Sequence, residues 1–185
     1  MFSFFTSCAQ KDSTIYFKEI GWTIKLPSDL KINDSVNVSA NHEQGQKIVE
    51  DETQHKIDLS KTKNLMNASK DALNWFNLSY NSSEGITNKN WKESDSIYYD
   101  LIIKTIIKKL PGKVDTTTSV IKYDGIEFVK YQASFKISDN ASLTTCHLAT
   151  FHNGHTIIIG YAYTDRAIGD EIVNILKTSK FTTVE

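Results

Sequence analysis

The spacing of apolar residues changes period along the chain, and each change marks an element. Trp22-Thr23-Ile24-Lys25-Leu26 alternates with a period of two and stops at Pro27, and Ile15-Tyr16-Phe17 precedes it across Gly21. Alternation of this kind predicts half-buried strands, here a two-stranded start. Residues 28–55 are polar and weakly periodic, with a helix predicted over Ala40–Thr53 despite Gly45. Asn64–Ser69 and Leu73–Tyr80 read as two short strands, followed by a loop over Asn81-Ser82-Ser83-Glu84-Gly85. From Trp91 to Leu110 the period lengthens, and Tyr99, Ile102, Ile103, Ile106 and Leu110 form a stripe at helical spacing. Asn90 with Glu93 three residues on has the form of a capping box, and Pro111-Gly112 is the stop.

Period two then returns. Thr117–Lys122, Ile126–Ile137, Leu143–His152 and His155–Thr164 predict four strands. Val129, Tyr131, Ala133, Phe135 and Ile137 share one face of the second. Asp124-Gly125 and Asn153-Gly154 are hairpin signals, because a tight two-residue turn needs positive φ at both centres. Asp165 then caps a last helix with Ile168, Ile172, Ile175 and Leu176 on one side. Neighbouring antiparallel strands with helices outside them give an α+β fold: an antiparallel β-sheet flanked by helices in an α/β/α sandwich.

Composition narrows the class. The chain has 185 residues, 39% hydrophobic and 23% charged, at net charge -1, which suits one globular domain. Two cysteines, two prolines and eight glycines exclude a disulfide framework and a low-complexity chain. The near-neutral balance argues against a nucleic-acid partner. Arg166 is the single arginine, so bidentate phosphate recognition is not expected.

The first residues, Met1-Phe2-Ser3-Phe4-Phe5-Thr6-Ser7-Cys8, resemble the tail of a bacterial lipoprotein signal peptide, with Thr6-Ser7-Cys8 as the lipobox. The start is shorter than a full signal, which has a charged region and ~7–15 apolar residues. An upstream start codon would account for this. The resemblance makes Cys8 the lipidation site, since its sulfur carries the diacylglycerol. The expected organisation is a truncated signal remnant over residues 1–8, a polar tether over 9–14 and one domain over 15–185.

Several segments resemble the PsbP-like fold: Trp22-Thr23-Ile24-Lys25-Leu26-Pro27, the Leu110-Pro111-Gly112 stop, and Tyr123-Asp124-Gly125-Ile126-Glu127-Phe128. The tail, Gly160-Tyr161-Ala162-Tyr163-Thr164-Asp165 through Lys177-Thr178-Ser179-Lys180-Phe181, resembles uncharacterised lipoproteins of Bacteroidetes-type bacteria. The resemblance implies a mostly non-catalytic group that binds or chaperones other proteins. It carries over no functional residue.

Chemistry-bearing residues are sparse. Cys146, His147, His152 and His155 are the sharpest metal candidates, with His152 and His155 able to meet across the Asn-Gly turn. Strand geometry separates the set. Cys146 and His147 must point to opposite faces, and His152 lies ~20 Å from Cys146 at ~3.3 Å per residue, against metal–ligand distances of roughly 2 Å. His42-Glu43-Gln44-Gly45-Gln46 lacks the second histidine of a zincin helix. Neither a nucleophile elbow nor a phosphate-binding glycine loop occurs. Cys146 reads as a buried thiol, and a Cys8–Cys146 disulfide and acylation of Cys8 would compete for one sulfur. Asp51-Glu52 and Asp170-Glu171 read as solvated, and Trp75-Phe76 and Trp91 as core closure in preference to a ligand groove. Asp12-Ser13-Thr14, Asp34-Ser35-Val36 and Asp95-Ser96-Ile97 resemble a Bacteroidetes O-glycosylation acceptor, with Ser13 the preferred position.

These readings lead to an expected non-enzymatic, lipid-anchored cell-envelope protein with no cofactor. It is membrane-attached through Cys8 and binds a protein or small-molecule ligand. A chaperone or adaptor for hydrophobic segments is the alternative, and a hydrolase or metalloenzyme a more distant one.

Overall fold

The computed structural model describes residues 12–33, 43, 46–52, 54, 56, 58–109 and 113–183. Cys8, His42, His55, Ser35, Leu110 and the Pro111-Gly112 stop lie outside these residues. The elements in order are β1 (Ser13–Phe17), β2 (Trp22–Leu26), β3 (Lys31–Ile32), a helical segment α1 (46–52), β4 (Thr62–Ser69), β5 (Trp75–Asn81) and α2 (Trp91–Lys109). Then come β6 (Val114–Tyr123), β7 (Ile126–Ser138), β8 (Ala141–His152), β9 (His155–Tyr163), α3 (Arg166–Thr178) and β10 (Lys180–Phe181). Ser13 and Thr14, placed in the tether by sequence, are the first residues of β1 and pair with Leu26 and Lys25.

The strands divide into two antiparallel sheets instead of the one expected. A seven-stranded sheet runs β3-β4-β5-β9-β8-β7-β6, and β1, β2 and β10 form a small sheet of their own. Period-two alternation marks a strand but not its partner, so the sequence did not separate them. The fold class is α+β, with α2 on one face of the large sheet and α3 with the small sheet on the other.

The inner layer is dry. Phe76, Leu78 and Leu148, with Ile157, Ile159 and Tyr161, pack against Trp22 and Ile24 of the small sheet and Ile172, Ile175 and Leu176 of α3. The sequence explains this closure, because α3 is strongly amphipathic and turns its isoleucines inward. Asp165 caps α3 by accepting from Ala167 N–H at 2.7 Å. By contrast, the expected Asn90 cap of α2 is absent. Asn90 instead braces the preceding loop, accepting from Thr87 N–H at 2.7 Å and donating to the Gly85 carbonyl at 2.8 Å.

Both hairpin turns form as expected, with positive φ at Asp124 and Gly125 and at Asn153 and Gly154. Their side chains also join the two sheets. Asn153 Nδ2 donates to the Ile20 and Thr182 carbonyls, each at 3.1 Å. Asp124 accepts from Lys180 Nζ and from the Phe181 N–H, both at 2.8 Å. This holds Phe181 stacked on Trp22 at 5.3 Å.

The Lys180 ammonium, followed by the Phe181 N–H, holds the Asp124 carboxyl below the usual carboxylate range. A depressed native pKa gives stability that is complete above the ordinary aspartate value of ~3.9 and is lost as pH falls through the native value. Asp124→Asn should therefore lower stability near neutrality and flatten its acid-side decline. Urea midpoints measured across that range check this, and an unchanged acid profile would contradict it.

Candidate functional site

The outer face of the large sheet is built differently. In β5, alternation sends Phe76, Leu78 and Tyr80 inward, and leaves Trp75, Asn77, Ser79 and Asn81 under α2. Their partners on β9 in the same register are Ala162, Gly160, Ile158 and Thr156. This half of the floor is polar, while the other half, over Val129, Tyr131 and Ala149, is apolar and packs against Trp91 and Tyr99 of α2. A helix that docks on the apolar half cannot also close down on the polar half. Between them lies a cavity of about 630 Å³, roofed by α2 and walled in part by Trp75, Trp91 and Tyr98. Its size is that of a small-molecule site.

The residues expected as the buried stripe of α2 are only partly covered. Tyr99 is buried, but Ile102, Ile103 and Ile106 are half-buried and line the cavity. Trp75 and Trp91 also line it, the groove role set second to core closure, while Trp91 is at the same time buried in the outer core cluster and Phe76 in the inner one.

Gly160 leaves room on this floor for the Asn77 side chain. A Cβ there would collide with Asn77 Oδ1, which accepts from the Gly160 N–H at 2.8 Å. The amide thus occupies the space above the glycine.

A buried acid–imidazole pair stands at the junction of the two halves. Asp95 Oδ1 meets His147 Nε2 at 2.7 Å, with the side chains 2% and 12% exposed. His147 comes from β8, on the face opposite Cys146, as strand alternation requires. Its ring lies 5.8–6.2 Å from those of Tyr98, Tyr99 and Tyr131. Burial raises the pKa of all three hydroxyls, that of Tyr99 to about 12, and Asp95 adds to the effect at Tyr98 and Tyr131. Asp95 Oδ2 and the Tyr99 hydroxyl are buried without partners among the described residues.

Asp95 was missed by sequence reasoning because it sits in the polar run Lys92-Glu93-Ser94-Asp95-Ser96. The signal that could have found it is its spacing: Asp95 is four residues from both Trp91 and Tyr99, on the helix's buried side. That burial and the helical conformation set Asp95-Ser96-Ile97 apart from an exposed loop acceptor.

Other candidate residues fall elsewhere. His152 and His155 are directly opposed across the turn. The His152 ring meets Phe181 edge-on at 5.5 Å, and its Nε2 is buried without a partner among the described residues. His155 Nδ1 lies 3.0 Å from Ser82 Oγ, and its ring lies beside Tyr80. Burial lowers the pKa of His155, with Lys63 adding to the shift. Among the described residues, no three His, Cys, Asp or Glu side chains are grouped to hold a metal. Ser13 is exposed at the start of an edge strand, next to Asp12, which pairs with Lys25 at 3.0 Å. Cys146 is buried in the inner core, and burial pushes its thiol pKa up. Glu171, expected in solvent, pairs with Lys70 at 2.6 Å.

No protein-family model and no curated protein matches the chain. Among solved structures it is similar to the cyanobacterial PsbP protein, CyanoP, of Synechocystis sp. PCC 6803, at a TM-score of 0.59. That match has 8% identity and covers 98% of this chain and 99% of the other. It is also similar to LpqN of Mycobacterium tuberculosis, a protein involved in cell envelope biogenesis, with 11% identity over 93% and 91% of the two chains. The TM-score there is 0.44. The first likeness, together with the α+β layering, defines the chain as having the PsbP-like fold.

Removing one member of the Asp95–His147 pair should cost far more than removing both. His147→Ala leaves a buried carboxylate unpaired, a loss of about 3–5 kcal/mol, whereas replacing a buried pair by apolar residues is often close to neutral. Asp95→Leu/His147→Leu should therefore be more stable to urea than His147→Ala, and the reverse order would contradict the pairing.

Proposed function

We propose that this chain is a non-catalytic, lipid-anchored protein of the bacterial cell envelope that binds a small molecule between α2 and the large sheet. The observation that carries the binding role is the cavity, with its polar floor and isoleucine-lined roof. On this floor Asn77 and Asn81 are held by protein partners, while the Ser79 and Thr156 hydroxyls have none among the described residues, and a buried polar group without a partner gains nothing as packing. The same arrangement suits recognition, in which apolar walls supply affinity and a few polar groups supply orientation.

The non-catalytic role rests on the sequence, which holds neither a nucleophile elbow nor a phosphate-binding glycine loop. The anchor rests on the lipobox-like Thr6-Ser7-Cys8. Ser13, exposed a few residues beyond, remains the glycosylation candidate. Among the described residues no helix is long and apolar enough to cross a membrane.

Two experiments test the parts separately. Nile red, an uncharged apolar dye, should bind with a blue-shifted emission. Ile102→Trp, which fills the cavity, should abolish the shift while leaving the circular dichroism spectrum unchanged. Equal dye binding by the variant would reject the cavity as the site. For the anchor, cells expressing the native gene should incorporate radiolabelled palmitate into the protein, and Cys8→Ser should not. Equal labelling of both, or recovery of the unlabelled wild type in the soluble fraction, would reject the anchor.

A further inference from the structure

The cavity's lining is selective in charge. Among the described residues that line it there is no lysine or arginine, while Asp58 and Asp95 are present. A carboxylate or phosphate brought in would lose its water without gaining a cation, beside an acid that is already buried. A cation fares little better. Asp95 is almost wholly covered: one oxygen meets His147, and the other, without a partner among the described residues, is itself buried out of reach, while Asp58 is exposed and already accepts from the Ser60 N–H.

The polar groups that are free to act are neutral or shared. Ser79 and Thr156 are buried residues lining the cavity, and neither hydroxyl has a protein partner among the described residues. They come from adjoining strands: Thr156 is opposite Asn81, and Ser79 is two residues earlier on that same strand. His147 adds Nδ1 on the same sheet face. With Nε2 given to Asp95, that nitrogen accepts a hydrogen bond when the ring is neutral and donates one when it is protonated. A ligand group that both donates and accepts can satisfy His147 in either state and the two hydroxyls as well. A hydroxyl is the simplest such group. Ile102, Ile103 and Ile106 roof the same space with aliphatic surface.

We propose that the cavity binds an uncharged aliphatic compound that carries hydroxyl groups at one end. The hydroxyls meet His147, Ser79 and Thr156, and the aliphatic body lies against Ile102, Ile103 and Ile106. This proposal rests on the reading of the cavity as a binding site, and it goes further in naming the chemistry of the ligand.

A series with one chain and different heads tests it: decane-1,2-diol, decanoate and decylammonium, each titrated calorimetrically below its aggregation limit. The diol should bind one to one and at least about tenfold more tightly than either charged compound, as expected when an unpaired charge must be buried. Thr156→Val keeps the shape of the side chain and removes its hydroxyl. It should weaken the diol by about threefold to tenfold, the scale of one hydrogen bond, with the circular dichroism spectrum unchanged. Charged compounds binding as tightly as the diol would overturn the proposal, as would a diol affinity unmoved by Thr156→Val. Nile red bound with no diol binding would reject the ligand class while leaving the cavity as a binding site. Failure of both probes, or binding of both undisturbed by Ile102→Trp, would remove the underlying reading.

Discussion

The outer half of the molecule is organised by the short contact between Asp95 and His147. Helix α2 is weakly amphipathic, with Asp95 and Thr105 among its buried positions and Ile97 and Ile107 exposed. Such a helix has no continuous apolar stripe with which to seat itself. It is instead fixed at a few points: Trp91 and Tyr99 against the apolar half of the floor, and Asp95 to β8. Between these points it spans the sheet without filling the space beneath. The contrast with α3 is instructive. There Ile172, Ile175 and Leu176 form one stripe, and the interface is dry.

The sheet itself carries this asymmetry. Every strand in its middle has two faces, and β5 divides its residues strictly between them, with Phe76, Leu78 and Tyr80 on one side and Asn77, Ser79 and Asn81 on the other. A sheet with one dry face and one half-polar face does not require a second tightly packed layer. It requires a cover. In this chain that cover is the single long helix α2, and the local sequence decides how closely the helix approaches.

Much of this was legible in advance where the signal was local. Asn153-Gly154 and Asp124-Gly125 specify their own turns, because few other pairs tolerate positive φ twice. Asp165 and the isoleucines after it specify α3 in the same way. What was hidden depended on partners distant in sequence. The pairing of β2 with β10 joins residues about 160 positions apart, and no periodicity encodes such a choice. Asn90 has the residue type of a helix cap, but the preceding loop competes for its side chain and takes it. In the site, the alternation of β5 and the isoleucines of α2 were visible as patterns. Asp95 was not, since a charged residue in a polar run reads as solvated until a buried histidine is placed opposite it.

The small sheet has a consequence for how the domain comes into being. Its central strand, β2, is made about 160 residues before one of its two neighbours, β10. Until residue 181 has left the ribosome, Trp22 lacks the ring that stacks on it, and the tips of two hairpins lack the backbone groups that they hold. The fold therefore closes as a ring, by a contact of very long sequence separation that is expected to form slowly. A nascent chain would keep an aromatic seam open to solvent until β10 had emerged to cover Trp22.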